Sequence, residues 1–213
     1  MKKGIIFDLD GVIVSTDEYH YMAWSKLAAE EGIYFDRKIN ERLRGVSRME
    51  SLAIVLERSE KKYKKEEQQA MAERKNTYYK ELLSELTPGH ILPGVTKLLT
   101  ELKIRGIKTA IGSSSRNTPF ILKQIGLADR FDGVADGNSI TNSKPDPEVF
   151  LLAAKLLNLS PFDCVIVEDA KAGIDAAKAA SAVAVAVGSA AGYDKADYSY
   201  TSMEDLQLTD ILK

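Results

Sequence analysis

Five short apolar runs recur along this chain, separated by longer stretches of helical periodicity. That alternation restricts the fold more than any other feature. The runs are Gly4 to Asp8, Ile107 to Gly112, Asp132 to Ala135, Cys164 to Val167 and Val183 to Val187. A short continuous apolar stretch reads as a strand covered on both faces. Between the runs lie four helical patterns. Pro93-Gly94 opens one through Leu98, Leu99 and Leu102, and another runs from Thr118 to Ile125. Asp146-Pro147-Glu148 opens a third, with Phe150, Ala153, Ala154 and Leu157 on one face, and Ala170 to Ala180 is the fourth. Proline suits the first turn of a helix, where its missing N–H would have no partner. Strands alternating with helices imply parallel strands joined by right-handed crossovers. The expected fold class is α/β, a Rossmann-like parallel sheet covered by helices.

Residues 15–90 break the alternation. They contain no strand pattern and read as several helices. Thr16-Asp17 predicts the cap of a helix through Glu31, Asp36 caps a second and Ser47 a third. A long charged helix follows, from about Lys64 to Leu86. The simplest organisation is an all-helical cap domain, 15–90, inserted into an α/β catalytic core formed by 1–14 and 91–213. The run Glu57 to Lys75, rich in charges of both signs, reads as a solvated helix face.

Composition narrows the function classes. Among 213 residues, Lys and Arg number 29 and Asp and Glu 31, a net charge of −2, which argues against binding nucleic acid by bulk charge. The single cysteine, Cys164, excludes an internal disulfide and a cysteine-rich metal site. No apolar run is long enough for a transmembrane helix, so no membrane partner is expected. Asp8 and Asp10 fall where a secretory leader needs its apolar stretch, and the expected location is the cytoplasm. Nothing demands more than a monomer.

In an open parallel sheet, ligands bind beyond the carboxyl ends of the strands. The first run ends in Asp8 and Asp10, and the second in Ser113, Ser114 and Ser115. Lys144 follows the third, and the fourth ends in Glu168 and Asp169. Residues two apart in an extended chain point the same way, so Asp8 and Asp10 can face one volume, with Gly11 turning the backbone aside. So many carboxylates repel unless a cation offsets them. A hard divalent ion with oxygen ligands does so, and Mg²⁺ fits best. A carboxylate, a metal, a lysine and a serine suit phosphoryl transfer. Each residue alone has a plainer reading: a strand-end Asp as a turn or helix cap, Lys144 as a surface lysine, Ser113 to Ser115 as a cap for the next helix. The joint pattern on four successive strand ends is what carries weight.

Phe7-Asp8-Leu9-Asp10-Gly11-Val12 resembles the first motif of the haloacid dehalogenase superfamily. Ser113 matches its second motif, Lys144 its third, and Glu168-Asp169 its fourth. The helical insert is similar to the superfamily's small cap type. The resemblance implies that Asp8 is a nucleophile forming an aspartyl-phosphate, with Asp10 as general acid/base. It implies Mg²⁺ held by Asp8, the Asp10 carbonyl and Asp169, with Glu168 close by. Asp10 argues against true dehalogenases, which lack that acid.

Cap and hinge residues extend the resemblance to the β-phosphoglucomutase family. They include Thr16-Asp17-Glu18-Tyr19-His20, Trp24, Asn40 to Arg48, Ser51-Leu52 and Arg74-Lys75-Asn76. In the core they include Ser113 to Asn117, Ser143 to Pro147 and Val167 to Ala170. The implied reaction interconverts β-glucose 1-phosphate and glucose 6-phosphate. Its activating intermediate would be β-glucose 1,6-bisphosphate. A mutase needs a second phosphate site away from the metal. Arg48, with Gly45, Val46, Ser47 and Ser51, and Ser115, Arg116 and Asn117 are the candidates. By resemblance His20 couples Asp10 to the sugar, Lys75 joins that network, and Thr16 and Trp24 stand with them; Trp24 by itself reads as cap packing. Two departures stand out: Arg44 where the family has Lys, and Ser181 where it often has Gly. Arg is a planar fork rather than a point charge, so substrate positioning there differs. The alternatives are a Mg²⁺-dependent sugar-phosphate phosphatase on the same scaffold and a non-catalytic phosphosugar-binding module.

Overall fold

A computed structural model describes residues 1–213. Its sheet has six parallel strands in the order β3-β2-β1-β4-β5-β6. The strands are β1 (Gly4–Phe7), β2 (Lys108–Gly112), β3 (Gly133–Ala135), β4 (Cys164–Glu168), β5 (Val183–Ala186) and β6 (Tyr198–Ser199). The first five coincide with the apolar runs. β6 has no such run behind it, and it pairs at the sheet edge through Val185 and Ala186.

Strand residues alternate between two cores. Ile5 and Phe7 of β1 and Val165 and Val167 of β4 join one buried cluster with α5 (Val95–Ile104) and α6 (Thr118–Gln124). Ile6, Cys164 and Ile166 point the other way, into a cluster with α7 (Glu148–Leu156) and α8 (Lys171–Ala179). This period of two explains the continuously apolar strands: both faces are covered.

Four helices lie between β1 and α5: α1 (Asp17–Glu31), α2 (Arg37–Glu41), α3 (Arg48–Leu56) and α4 (Lys65–Leu83). They enclose their own cluster, including Trp24, Leu27, Leu52 and Met71. Asp36 caps α2 by accepting from the Ile39 N–H at 2.8 Å, and Ser47 with Glu50 forms a capping box on α3. Thr16 departs from expectation. Its hydroxyl makes no cap bond to α1 and instead donates to Asp10 and meets Tyr79. A tertiary carboxylate has outcompeted the local amides. A short C-terminal helix, α9 (Leu208–Ile211), completes the fold, and no helix is long and apolar enough to cross a membrane.

Candidate active site

The strand order reverses its progression where β1 lies between β2 and β4, and the ends of these strands supply the site. Asp8 follows β1, its N–H donating to the Val167 carbonyl at 2.9 Å. Glu168 ends β4 and Asp169 follows it. One carboxylate oxygen from each of Asp8, Glu168 and Asp169 lies within 4.8 Å of the others, and all three residues are buried. Gly11 makes this crowding feasible: it has φ +76°, and a Cβ there would collide with the Asp169 carboxylate. Gly173 does the same behind Glu168.

Lys144 answers part of that charge. Its ammonium is almost fully buried and donates to Asp8 Oδ1 at 2.6 Å and to Glu168 Oε1 at 2.5 Å. Burial opposes its charge, but Asp8 and Glu168 outweigh that and hold it above the ordinary lysine range. Glu168 also accepts from the Ala170 N–H at 2.8 Å through Oε2, so both of its oxygens are engaged. Burial raises the Glu168 and Asp169 carboxyls, and neighbouring Asp8 raises both further. A buried, all-oxygen set with excess negative charge is the environment a hard divalent cation satisfies, and the residues present fit Mg²⁺.

Burial also pushes the Asp10 carboxyl up to about 7, against the Thr16 hydrogen bond. Asp10 is thus poised to exchange a proton near neutrality, which an acid/base group requires.

Asp8 and Asp10 open into a cleft of about 800 Å³ between the helical segment and the strand ends. From the helical segment come His20, Trp24, Arg48, Ser51 and Lys75 on helices and Arg44, Gly45 and Val46 in the turn between α2 and α3. From the strand-end loops come Ser113, Ser115, Arg116, Asn117, Lys144 and Asp169. Of the residues singled out in the sequence, Thr16 and Glu168 stand behind the wall, touching the groups that line it. Lys75 Nζ is 2.8 Å from His20 Nδ1 and lies over the rings of Trp24 and Tyr79 at 4.8 and 4.4 Å. Burial, then Arg48, pushes the Lys75 ammonium well below its usual range; burial does the same to His20, with Lys75 and Arg48 adding to it. Burial also lowers Arg48, and the like charge of Arg116 lowers it further. Arg116 Nε donates only to the Gly137 carbonyl at 3.1 Å. These cations face one another in the cleft without a carboxylate bound to either arginine.

Four participants had no role assigned from the sequence: Asn76 and Asp17 stood only within motif runs, and Tyr79 and Ser189 carried no signal. Asn76 accepts from Asn117 Nδ2 at 2.9 Å, joining α4 to the loop before α6. Tyr79 supports Thr16 at 2.8 Å, and Asp17 pairs with Arg44. Ser189, after β5, donates to Asp169.

The model of the haloacid dehalogenase-like hydrolases matches residues 2–181. The chain belongs to that family. Within it, the chain is 46% identical to the β-phosphoglucomutase of Bacillus subtilis, over 97% of this chain and 92% of the relative. A crystal structure of β-phosphoglucomutase from Clostridium difficile superposes with a TM-score of 0.94 at 46% identity, covering 99% of this chain and 96% of that one. A phosphorylated carbohydrates phosphatase of Thermotoga maritima is 33% identical over 84% of this chain and 81% of its own length. The expected family and α/β class are therefore borne out.

Proposed function

We propose that this hydrolase-family member is a β-phosphoglucomutase that interconverts β-glucose 1-phosphate and glucose 6-phosphate. The observation that carries the reading is the two-ended cleft. One end holds Asp8, Lys144 and the carboxylate set; the other holds the half-buried Arg48 and the exposed Arg116, two cleft-lining cations that form no ion pair with a protein carboxylate. A phosphatase needs one phosphate site, whereas a bisphosphate intermediate that turns over in place needs two. The likeness to two β-phosphoglucomutases supports the same conclusion.

In this reading Asp8 attacks the phosphorus and carries the phosphoryl group as an aspartyl-phosphate. Asp10 protonates the departing sugar oxygen and later takes a proton from the accepting hydroxyl. Lys144 and Ser113 stabilise the transferring oxygens. Asp8 and Asp169, with the Asp10 carbonyl, would hold Mg²⁺, and Glu168 keeps Lys144 in place. The ion, when bound, neutralises phosphate oxygens so that an anionic nucleophile can approach. Arg48, Ser51, Ser115, Arg116 and Asn117 grip the distal phosphate of β-glucose 1,6-bisphosphate. Residues 15–90 act as a cap over a core of 1–14 and 91–213, and their closure excludes water from the phospho-aspartate.

The test is a coupled assay of glucose 6-phosphate formation from β-glucose 1-phosphate, with Mg²⁺ and a trace of the bisphosphate. Inorganic phosphate is followed in parallel. Isomerisation far faster than phosphate release supports the mutase; steady phosphate release without isomerisation supports the phosphatase.

A further inference from the structure

Arg44 sits where the cap reaches the core. Its Nη1 donates to Asp169 Oδ2 at 3.2 Å and to Ser189 Oγ at 2.6 Å, and its Nη2 pairs with Asp17. Ser189 has one hydroxyl proton to give, to the Asp169 carbonyl at 2.6 Å or to Asp169 Oδ2 at 3.1 Å, while accepting from Arg44. The neighbouring Gly45 has φ +75°, and a Cβ there would press on Ala170 at 3.2 Å, so this loop lies tightly against the start of α8. Three elements thus converge on one guanidinium: the first residue of α1, the strand-end loop after β4 and the loop after β5.

The carboxylate that Arg44 grips belongs to the set assigned above to the divalent cation. We propose that Arg44, anchored by Asp17 and Ser189, competes with the metal for Asp169, so that metal affinity and the cap-to-core clasp oppose each other. This rests on the reading that Asp8 and Asp169 hold Mg²⁺. A guanidinium in contact with one carboxylate oxygen offers both a positive charge and a hydrogen bond that an arriving cation must displace or repel. Because linkage is reciprocal, a bound ion loosens Arg44 by the same factor that Arg44 weakens the ion. Lysine cannot reproduce the clasp, because one nitrogen cannot replace the two separated nitrogens that reach Asp17 and Asp169 together. Arg44 is a positioning residue here, setting how strongly the site takes its metal before any sugar binds.

The experiment is calorimetric titration of Mg²⁺ into metal-depleted protein without substrate. It compares the wild type with Arg44→Gln, Arg44→Lys and, as a charge control, Arg42→Gln. Arg42 pairs with Glu57 on the exposed face of the helical segment. The expected result is Mg²⁺ binding tighter by about threefold or more in Arg44→Gln, intermediate in Arg44→Lys and unchanged in Arg42→Gln. Equal or weaker binding in Arg44→Gln overturns the competition. If the Gln variant fails to fold by its thermal melt, Arg44→Lys decides: tighter than wild type supports the proposal, equal or weaker overturns it. A wild type that binds no Mg²⁺ defeats the metal reading itself, and the competition with it.

Discussion

Lys144 and Glu168 meet at 2.5 Å with both side chains about 1% exposed, and the same ammonium reaches Asp8 at 2.6 Å. Truncating Lys144 leaves two buried carboxylates facing each other without their cation. Breaking such a pair costs about 3–5 kcal/mol. Lys144→Ala is expected to lose stability on that scale in urea unfolding, together with phosphoryl transfer. Glu168→Gln keeps the shape and one of the two accepting oxygens, so it is expected to lose less. A Lys144→Ala protein as stable as the wild type would contradict the structural half of this assignment.

Asp10 predicts a pH dependence. Its carboxyl is raised to about 7, chiefly by burial, so the protonated fraction falls as pH rises through that value. Phosphorylation of Asp8 by the bisphosphate uses Asp10 as an acid. Its single-turnover rate, followed by rapid quench, should therefore decline above about pH 7. Asp10→Asn should lower the rate by about 10²–10⁴ and abolish that limb. A limb of the same position in Asp10→Asn would assign it to another group.

Arg48 and Arg116 are expected to separate mutase from phosphatase behaviour. Charge-assisted hydrogen bonds contribute about 1.5–3 kcal/mol each, so Arg48→Ala or Arg116→Ala should lose roughly 10- to 100-fold in kcat/KM for isomerisation. Phosphate released per turnover should rise, because a poorly held bisphosphate leaves the phospho-aspartate to water. A variant with unchanged partition between isomerisation and phosphate release would remove that arginine from the distal phosphate site.

Ser181 predicts a gain. It follows α8 with φ +61°, the left-handed region, and is exposed and away from the cleft. Its N–H donates to the Lys178 carbonyl, closing the helix end where glycine is favoured. Relief of the left-handed penalty, partly offset by glycine's greater freedom when unfolded, should stabilise Ser181→Gly by about 0.5–1 kcal/mol. Thermal melting measures it, and activity should be unchanged.

The sheet was legible because β1, β2, β4 and β5 are apolar on both faces, and because chemistry-bearing residues stand where the apolar runs stop. β6 was invisible: Tyr198 and Ser199 pair with β5 through backbone atoms and carry no apolar run. Asp8, Asp10, Lys144 and Asp169 were readable as a set, since the three aspartates stand at or just past strand ends and Lys144 lies in the connection after β3. Thr16 misled because a hydroxyl serves a helix end or a distant carboxylate equally well, and only tertiary placement decides. Tyr79 and Ser189 were silent for a related reason, and Asp17 read only as a helix-cap and motif residue. Each is an ordinary residue for its helix or loop, and its role exists only through a partner far away in sequence.

Asp8 delivers its phosphoryl group to a sugar rather than to water. The deciding measurement incubates the Mg²⁺-loaded enzyme with β-glucose 1-phosphate and a trace of the bisphosphate, following glucose 6-phosphate and inorganic phosphate in the same sample. Rapid glucose 6-phosphate formation with little phosphate release is expected, and it is lost in Asp8→Asn. Stoichiometric phosphate release without glucose 6-phosphate, or isomerisation that survives Asp8→Asn, would contradict it.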